Sequence, residues 1–225
     1  MKLSVVVPVY NEEKTLSKII KKVLEQKEVF EIIIVDDGSS DNSVTIAKGF
    51  TSPKIHLVCH KKNLGKGAAV ISGIKVAKGD ALIIQDADLE YDPKDYSKLL
   101  QLIENKEADF IVGNRWKEYK KMSITRVGNI YLTLLLRILF GSKLRDPYSC
   151  YKAAPLKVWK SLKLNSQRFE IEAEIVAKIS SLGLKVAEIP VKYYPRSYDQ
   201  GKKIKLIDAF KGTQRILKVK FDYLR

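Results

Sequence analysis

From Leu3 to Val9 the chain runs almost wholly apolar and rich in valine, too short a run for a buried helix. Such a segment predicts a strand covered on both faces. Leu16, Ile19, Ile20, Val23 and Leu24 then recur at helical spacing, which predicts an amphipathic helix. The alternation continues with strands over Glu31–Val35, Ile55–Cys59 and Ala81–Gln85, and helices over Asp41–Lys48 and Lys66–Ala77. Asp92 and Pro93 suit the N-cap and first position of a helix that turns Tyr96, Leu99, Leu100 and Ile103 inward. Asp109–Gly113 is the next strand. Apolar strands separated by helices predict an α/β fold, a mostly parallel sheet flanked by helices, with ligands expected where strands end.

The pattern then changes. Trp116–Arg126 is polar and basic and predicts a loop, and Val127–Phe140 predicts a helix apolar on most faces. Phe169–Leu182 reads as a helix and Lys185–Tyr194 as a strand. Tyr194–Lys205 reads as a basic loop, before an amphipathic helix at about 205–220 that carries Lys211, Arg215, Lys218 and Lys220. No repeat, low-complexity tract or linker interrupts the chain, so one domain over 1–225 is expected. A secretory signal is not expected, because the apolar opening breaks at Pro8. Asn129 and Arg137 interrupt the most apolar stretch, whereas a bilayer span needs about 20 apolar residues.

The composition adds a sign to this picture. Among 225 residues, 41 Lys and Arg stand against 26 Asp and Glu, a formal charge of +15. That excess predicts an anionic partner: nucleic acid, a membrane surface or a phosphorylated substrate. Apolar residues at 45% and charged residues at 30% exclude a disordered chain. Cys59 and Cys150 alone can build neither a disulfide framework nor a four-thiolate zinc site, and they suit a reducing, cytoplasmic setting. His56 and His60 lie on or beside a strand and read as structural.

The acidic segment Gln85-Asp86-Ala87-Asp88-Leu89-Glu90 directly follows a strand. Carboxylates two apart in an extended turn can meet one hard divalent cation, with substrate phosphates completing its shell. Val35-Asp36-Asp37-Gly38-Ser39-Ser40-Asp41 also follows a strand; there a carboxylate can accept from a ribose or a base edge while Gly38 turns the backbone. Asn63-Leu64-Gly65-Lys66-Gly67 is either an anion cradle or a plain helix entry. Glu12, in Pro8-Val9-Tyr10-Asn11-Glu12-Glu13, either reaches a ligand or caps the next helix. Neither G-x-G-x-x-G nor a P-loop occurs, which disfavours a dehydrogenase or P-loop ATPase.

In this order, the four segments resemble the nucleotide-sugar half of inverting family-2 glycosyltransferases with the GT-A fold. The resemblance extends through VGNR, DPYSCYKA, RFEIEAEI and YPRSYDQGKK to the dolichyl-phosphate mannose synthase group. It implies transfer of a hexose from a nucleotide sugar, GDP-mannose or UDP-glucose, to a polyprenyl phosphate at the cytoplasmic face of a membrane. It further implies a divalent metal, Mg²⁺ or Mn²⁺, on Asp86, Asp88 and Glu90, with Asp86, Asp88 and Arg115 central to catalysis. The donor would meet Pro8, Tyr10, Glu12, Asp36 or Asp37, Lys66, Asp86 and Ala87. Arg196 with Lys202 and Lys203 would clamp its diphosphate, and Arg115 with Arg126 would meet the acceptor phosphate. Cys150 stands where the family commonly has glycine.

The chemistry agrees. A phosphomonoester acceptor is mostly ionised at pH 7 and needs no general base, but two anions must be brought together among cations. A transferase acting on a glycan hydroxyl would need a base, for which Asp146 and Glu172 are the candidates. Trp116 is either a packing anchor or a platform beside Arg115, and the roles of Glu170, Glu172 and Glu174 stay open. The Val127–Phe140 helix is either core or an interfacial element on an anionic membrane surface, which leaves room for a separate membrane-anchoring subunit. Nucleic acid is not an expected partner, since no RNP, KH or zinc-finger pattern occurs and the basic residues are scattered.

Overall fold

A computed structural model describes residues 1–116, 124–196 and 206–223. Strands β1 (Leu3–Val9), β2 (Val29–Asp36), β3 (Ile55–Cys59) and β4 (Ala81–Ile84) alternate with helices α1 (Leu16–Leu24), α2 (Ser43–Lys48) and α3 (Lys66–Val76). A short 3₁₀ turn, Pro93–Asp95, leads into α4 (Tyr96–Glu104), and the Asp92 side chain accepts the Lys94 amide at its start. There follow β5 (Phe110–Asn114), α5 (Ile124–Phe140), β6 (Lys152–Pro155), α6 (Leu156–Ser161), α7 (Ile171–Ser181), β7 (Val186–Pro190) and α8 (Leu206–Tyr223).

The seven strands form one sheet in the order β3-β2-β1-β4-β6-β5-β7. All pairings are parallel except those of β6, which runs antiparallel between β4 and β5. Strand alternation splits the core into two. Val6, Ile33, Val35, Leu82, Ile84 and Phe110 face the side covered by α3, α5, α6, α7 and α8. Val5, Val7, Ile32, Ile34, Ile83 and Ile111 face α1, α2 and α4. The order reverses at β1, which pairs with β2 on one side and β4 on the other. That switch point leaves a crevice beyond the carboxyl ends of β1, β2 and β4, the position at which such sheets hold ligands.

Two elements were not apparent in the pattern. Strand β6, Lys-Ala-Ala-Pro, has little β propensity of its own, and pairing on both sides makes it a strand. Helix α6 follows at once and buries Leu156 and Trp159, whose indole N–H donates to the Leu82 carbonyl. Helix α5 begins at Ile124, inside the segment expected to be loop, and β7 ends at Pro190, short of Tyr194.

Candidate active site

Three turns at the carboxyl end of the sheet carry most of the expected residues. After β2, Asp36 Oδ2 accepts the amides of Gly38 and Ser39, each at 3.1 Å. Gly38 has φ +72°, and a Cβ there would stand 2.7 Å from the Lys62 backbone, so only glycine fits the turn. Asp36 Oδ1 is buried without a hydrogen-bond partner among the described residues. A buried carboxylate oxygen is costly to leave unpaired, so this atom is an acceptor waiting for a donor. Asp37 is different. It takes His60 Nδ1 at 2.8 Å and the amides of Leu64 and Gly65 at 2.9 and 2.7 Å. Of the two aspartates, Asp36 keeps ligand capacity and Asp37 orders the turn before α3. His60, held also by Ser72, has a structural part as expected.

The acidic segment after β4 is anchored from below. Gln85 accepts from the hydroxyls of Tyr96 and Tyr151 at 2.8 and 2.7 Å. Leu89 sits at φ 64°, a left-handed conformation that a branched side chain adopts at a cost. Lys66 Nζ lies 2.9 Å from Asp86 and 3.2 Å from Glu172, and donates to Cys150 Sγ at 3.0 Å. Burial alone would lower its pKa, but Asp86, Cys150 and Glu172 raise it well above the usual lysine value. Lys66 therefore stays charged.

Arg196 ties the other two acidic turns together. Its guanidinium reaches Glu12 at 3.1 Å and Asp88 at 3.0 Å, and its amide donates to Glu90 at 2.8 Å. Burial, then Asp86 and then Glu90 push the Asp88 carboxyl up to about 7, against a smaller lowering by Arg196. Three carboxylates at one strand end thus carry more negative charge than their protein partners neutralise. Among the described residues, no group of three His, Cys, Asp or Glu side chains converges in ligand geometry, since Asp86 turns to Lys66 and Asp88 to Arg196.

Beyond β5, Arg115 is 7% exposed and bidentate to the fully buried Asp146, with Nε and Nη2 contacts of 2.8 and 2.7 Å. Its guanidinium lies 4.6 Å from the Trp116 ring centroid, and that of Arg126 lies 4.8 Å from the same ring. Trp116 is thus the shared platform of both arginines. Tyr193, 5.3 Å from Arg115, hydrogen-bonds to Glu90 and so joins this corner to the acidic segment.

Other expected residues fall differently. The Ala87 side chain packs in the core and offers a ligand only backbone. Pro8 is half-buried within β1, and Tyr10 is exposed at its end. Lys202 and Lys203 lie outside the described residues. Lys152, not singled out from sequence, is fully buried and pairs with Glu172 and the Ser149 carbonyl. A lysine between Tyr151 and two alanines was its only signal. Glu174 turns away from the crevice, toward Lys178 and Arg215.

Comparison with known proteins agrees with this geometry. Residues 4–155 match the profile of Glycosyl transferase family 2. The chain is 32% identical over 240 residues to the UDP-N-acetylglucosamine–dolichyl-phosphate N-acetylglucosaminyltransferase of Methanococcus voltae, covering 96% of this chain and 94% of that protein. It is 31% identical over 240 residues to the dolichol-phosphate mannosyltransferase of Pyrococcus furiosus, covering 100% of this chain and 62% of the relative. In fold it is similar to glucosyl-3-phosphoglycerate synthase from Mycobacterium tuberculosis, solved with Mn²⁺, UDP and phosphoglyceric acid. That superposition has a TM-score of 0.77 at 20% identity, over 97% of this chain and 78% of the other. The chain belongs to glycosyltransferase family 2 and is a glycosyltransferase with the GT-A fold.

Proposed function

We propose that this enzyme transfers a hexose or N-acetylhexosamine from a nucleotide sugar to a polyprenyl phosphate at a membrane surface, with inversion. The observation that carries the reading is the fate of the two candidate bases. Asp146 is locked to Arg115, and Glu172 to Lys152 and Lys66, so neither is placed to take a proton from a hydroxyl. The site instead gathers cations: Lys66, Arg196, Arg115 and Arg126. That arrangement suits an acceptor that is already an anion. The two relatives named above carry dolichyl or dolichol phosphate in their names, which supports the same acceptor class.

In this mechanism an acceptor phosphate oxygen attacks the anomeric carbon from the face opposite the donor diphosphate. The bond from that carbon to the diphosphate oxygen breaks, and its electron pair leaves with the nucleoside diphosphate. Arg196 and Lys66 stabilise that leaving charge, Asp36 Oδ1 accepts from the nucleoside, and Arg115 and Arg126 hold the acceptor phosphate. Asp86, Asp88 and Glu90 would hold a divalent cation only once Asp86 leaves Lys66 and Asp88 leaves Arg196, and a cation there would relieve the part of the Asp88 shift that Asp86 and Glu90 add to burial. Bound together with diphosphate oxygens, Mg²⁺ or Mn²⁺ would neutralise the leaving group.

The membrane part rests on α5 and α8. Val127, Ile130, Tyr131, Leu134 and Ile138 form one outward row on α5, and Ile207, Phe210, Leu217 and Phe221 another on α8. The helices pack together where Leu132 lies over Gly212. Helix α5 contains no acidic residue, and Arg137, Lys143, Lys211 and Lys218 are exposed nearby. Among the described residues no helix is long and apolar enough to cross a membrane, so these rows suit an interfacial contact. The test is incorporation of sugar label from GDP-mannose, UDP-glucose or UDP-N-acetylglucosamine into a chloroform-soluble, mild-acid-labile product. Label found only in glycan or glycolipid glycosides would overturn the proposal.

A further inference from the structure

Helix α8 is tied to α7 through one buried carboxylate. Arg215 of α8 donates to Glu174 of α7 and to Asn165 Oδ1 in the loop before α7. Glu174 is fully buried, and it also accepts the backbone amides of Asn165 at 3.2 Å and Ser166 at 2.8 Å. One carboxylate and one guanidinium therefore hold the 165–168 loop. The loop has little apolar anchorage of its own, because Asn165, Gln167 and Arg168 are all exposed.

This loop lies directly against the turn that carries Lys66. Helix α3 starts at Gly65 with no side-chain cap, so its first amides need partners from elsewhere. The Gln167 carbonyl supplies one, accepting the Ala68 amide at 2.9 Å. The packing is close. A Cβ on Gly65 would stand 2.5 Å from the Gln167 oxygen, and one on Gly67 would stand 2.2 Å from the Ser166 oxygen. Displacing the loop removes the Ala68 acceptor and the packing on both sides of Lys66, whose ammonium sits on Asp86.

We infer that Arg215 is a positioning residue for Lys66, acting through Glu174 and the 165–168 loop that caps α3. The functional half of this inference rests on the reading of Lys66 as a ligand of the donor diphosphate. The structural half does not. Lys178 supplies an internal control: its ammonium also pairs with Glu174, at 2.7 Å, and donates to the Lys163 carbonyl at 2.8 Å, ahead of the loop, whereas the Asn165 side chain is held by Arg215. A mere loss of charge balance at Glu174 would follow either substitution, whereas loss of the Asn165 side-chain contact follows Arg215 alone.

The experiment compares Arg215→Met, Arg215→Lys and Lys178→Met in the full chain. It reads hydrogen exchange at the Ala68 amide and the dissociation constants of UDP and GDP. Arg215→Met should speed Ala68 exchange and weaken diphosphate binding about three- to tenfold, with the acceptor KM unchanged, and Arg215→Lys should restore part of both. Lys178→Met should leave both within about twofold whatever it does to Tm. Unchanged Ala68 exchange in folded Arg215→Met, or an equal loss in Lys178→Met, would overturn the inference. Should Arg215→Met fail to fold, Asn165→Ala decides, since it removes the loop's side-chain contact and keeps the Glu174 pair. Faster Ala68 exchange in that variant supports the coupling, and wild-type exchange contradicts it. If the wild-type protein bound neither UDP nor GDP, the donor reading would fail while the exchange data still judged the coupling.

Discussion

Asp88 is the residue on which donor chemistry and acid–base chemistry meet. Its carboxyl titrates at about 7 in the folded chain, against 3.8 for a free aspartate, chiefly through burial and then through Asp86 and Glu90. The native state therefore holds a proton that the unfolded chain has released, and the contribution of Asp88 to the stability of the metal-free protein should be lost as pH rises from about 4 to about 7, read as the difference from Asp88→Asn. A divalent cation needs the ionised form. With the carboxyl at about 7, its ionised fraction rises about tenfold from pH 6 to pH 8, and stabilisation by Mn²⁺ in thermal shifts should grow with it. Asp88→Asn should remove both the Mn²⁺ effect and transfer while leaving the fold intact; Mn²⁺ stabilisation that ignores pH would contradict this. Arg115 is a second test at this scale. It stands with Arg126 on Trp116, away from the Asp36 turn, so Arg115→Ala should impair use of the lipid phosphate more than binding of the nucleotide sugar. Steady-state kinetics with each substrate varied will separate the two, and a raised donor KM alone would reverse the assignment. The motif residues were legible because each follows a strand. The choice of Asp36 over Asp37 was not, since it depends on which carboxylate the His60, Leu64 and Gly65 donors occupy.

At the scale of elements, α5 separates what periodicity shows from what it hides. Apolar residues occupy nearly every face of the helix, so the sequence predicts a helix without telling its inner side from its outer. The fold decides: Leu132 and Leu136 are buried in the core beside α7 and α8, while Leu134 is 52% and Ile138 71% exposed. Two substitutions only two residues apart, on opposite faces of the helix, should therefore behave oppositely. Leu136→Ala should cost about 2–5 kcal/mol of stability, read as a lower denaturation midpoint. Ile138→Glu should leave the midpoint nearly unchanged and weaken binding to anionic vesicles at every salt concentration. Salt should separately release the part of binding that charge supplies, because exposed charges are screened beyond about 8 Å at physiological ionic strength. Unchanged vesicle binding by folded Ile138→Glu would remove α5 from the membrane contact. Strand β6 shows the opposite limit. Nothing in Lys152-Ala153-Ala154-Pro155 announces a strand, and the antiparallel pairing with β4 and β5 that creates it is a tertiary event.

For the whole molecule, the sheet brings residues from distant parts of the chain to one end. Glu12 follows β1, Asp36 ends β2, Asp88 and Glu90 follow β4, and Arg196 returns beyond β7 to bind three of the four. The strand alternation made this half readable before any coordinates, since parallel strands place all their carboxyl ends together. The second half was less readable because β6 inverts and because buried charge, Lys152 among it, leaves no periodic trace. The resulting site sets Lys66, Arg115 and Arg196 in ion pairs with its carboxylates, and its two candidate bases, Asp146 and Glu172, are held in those pairs. On the function proposed above, a group that arrives as an anion should react, and one that must first lose a proton should not. The most direct measurement offers the enzyme polyprenyl phosphate and the matching polyprenol in parallel, with the same labelled nucleotide sugar and Mn²⁺. Transfer to the phosphate is expected, with none above background to the alcohol. Comparable transfer to the alcohol would contradict the proposal, and would require a general base that Asp146 and Glu172 do not supply.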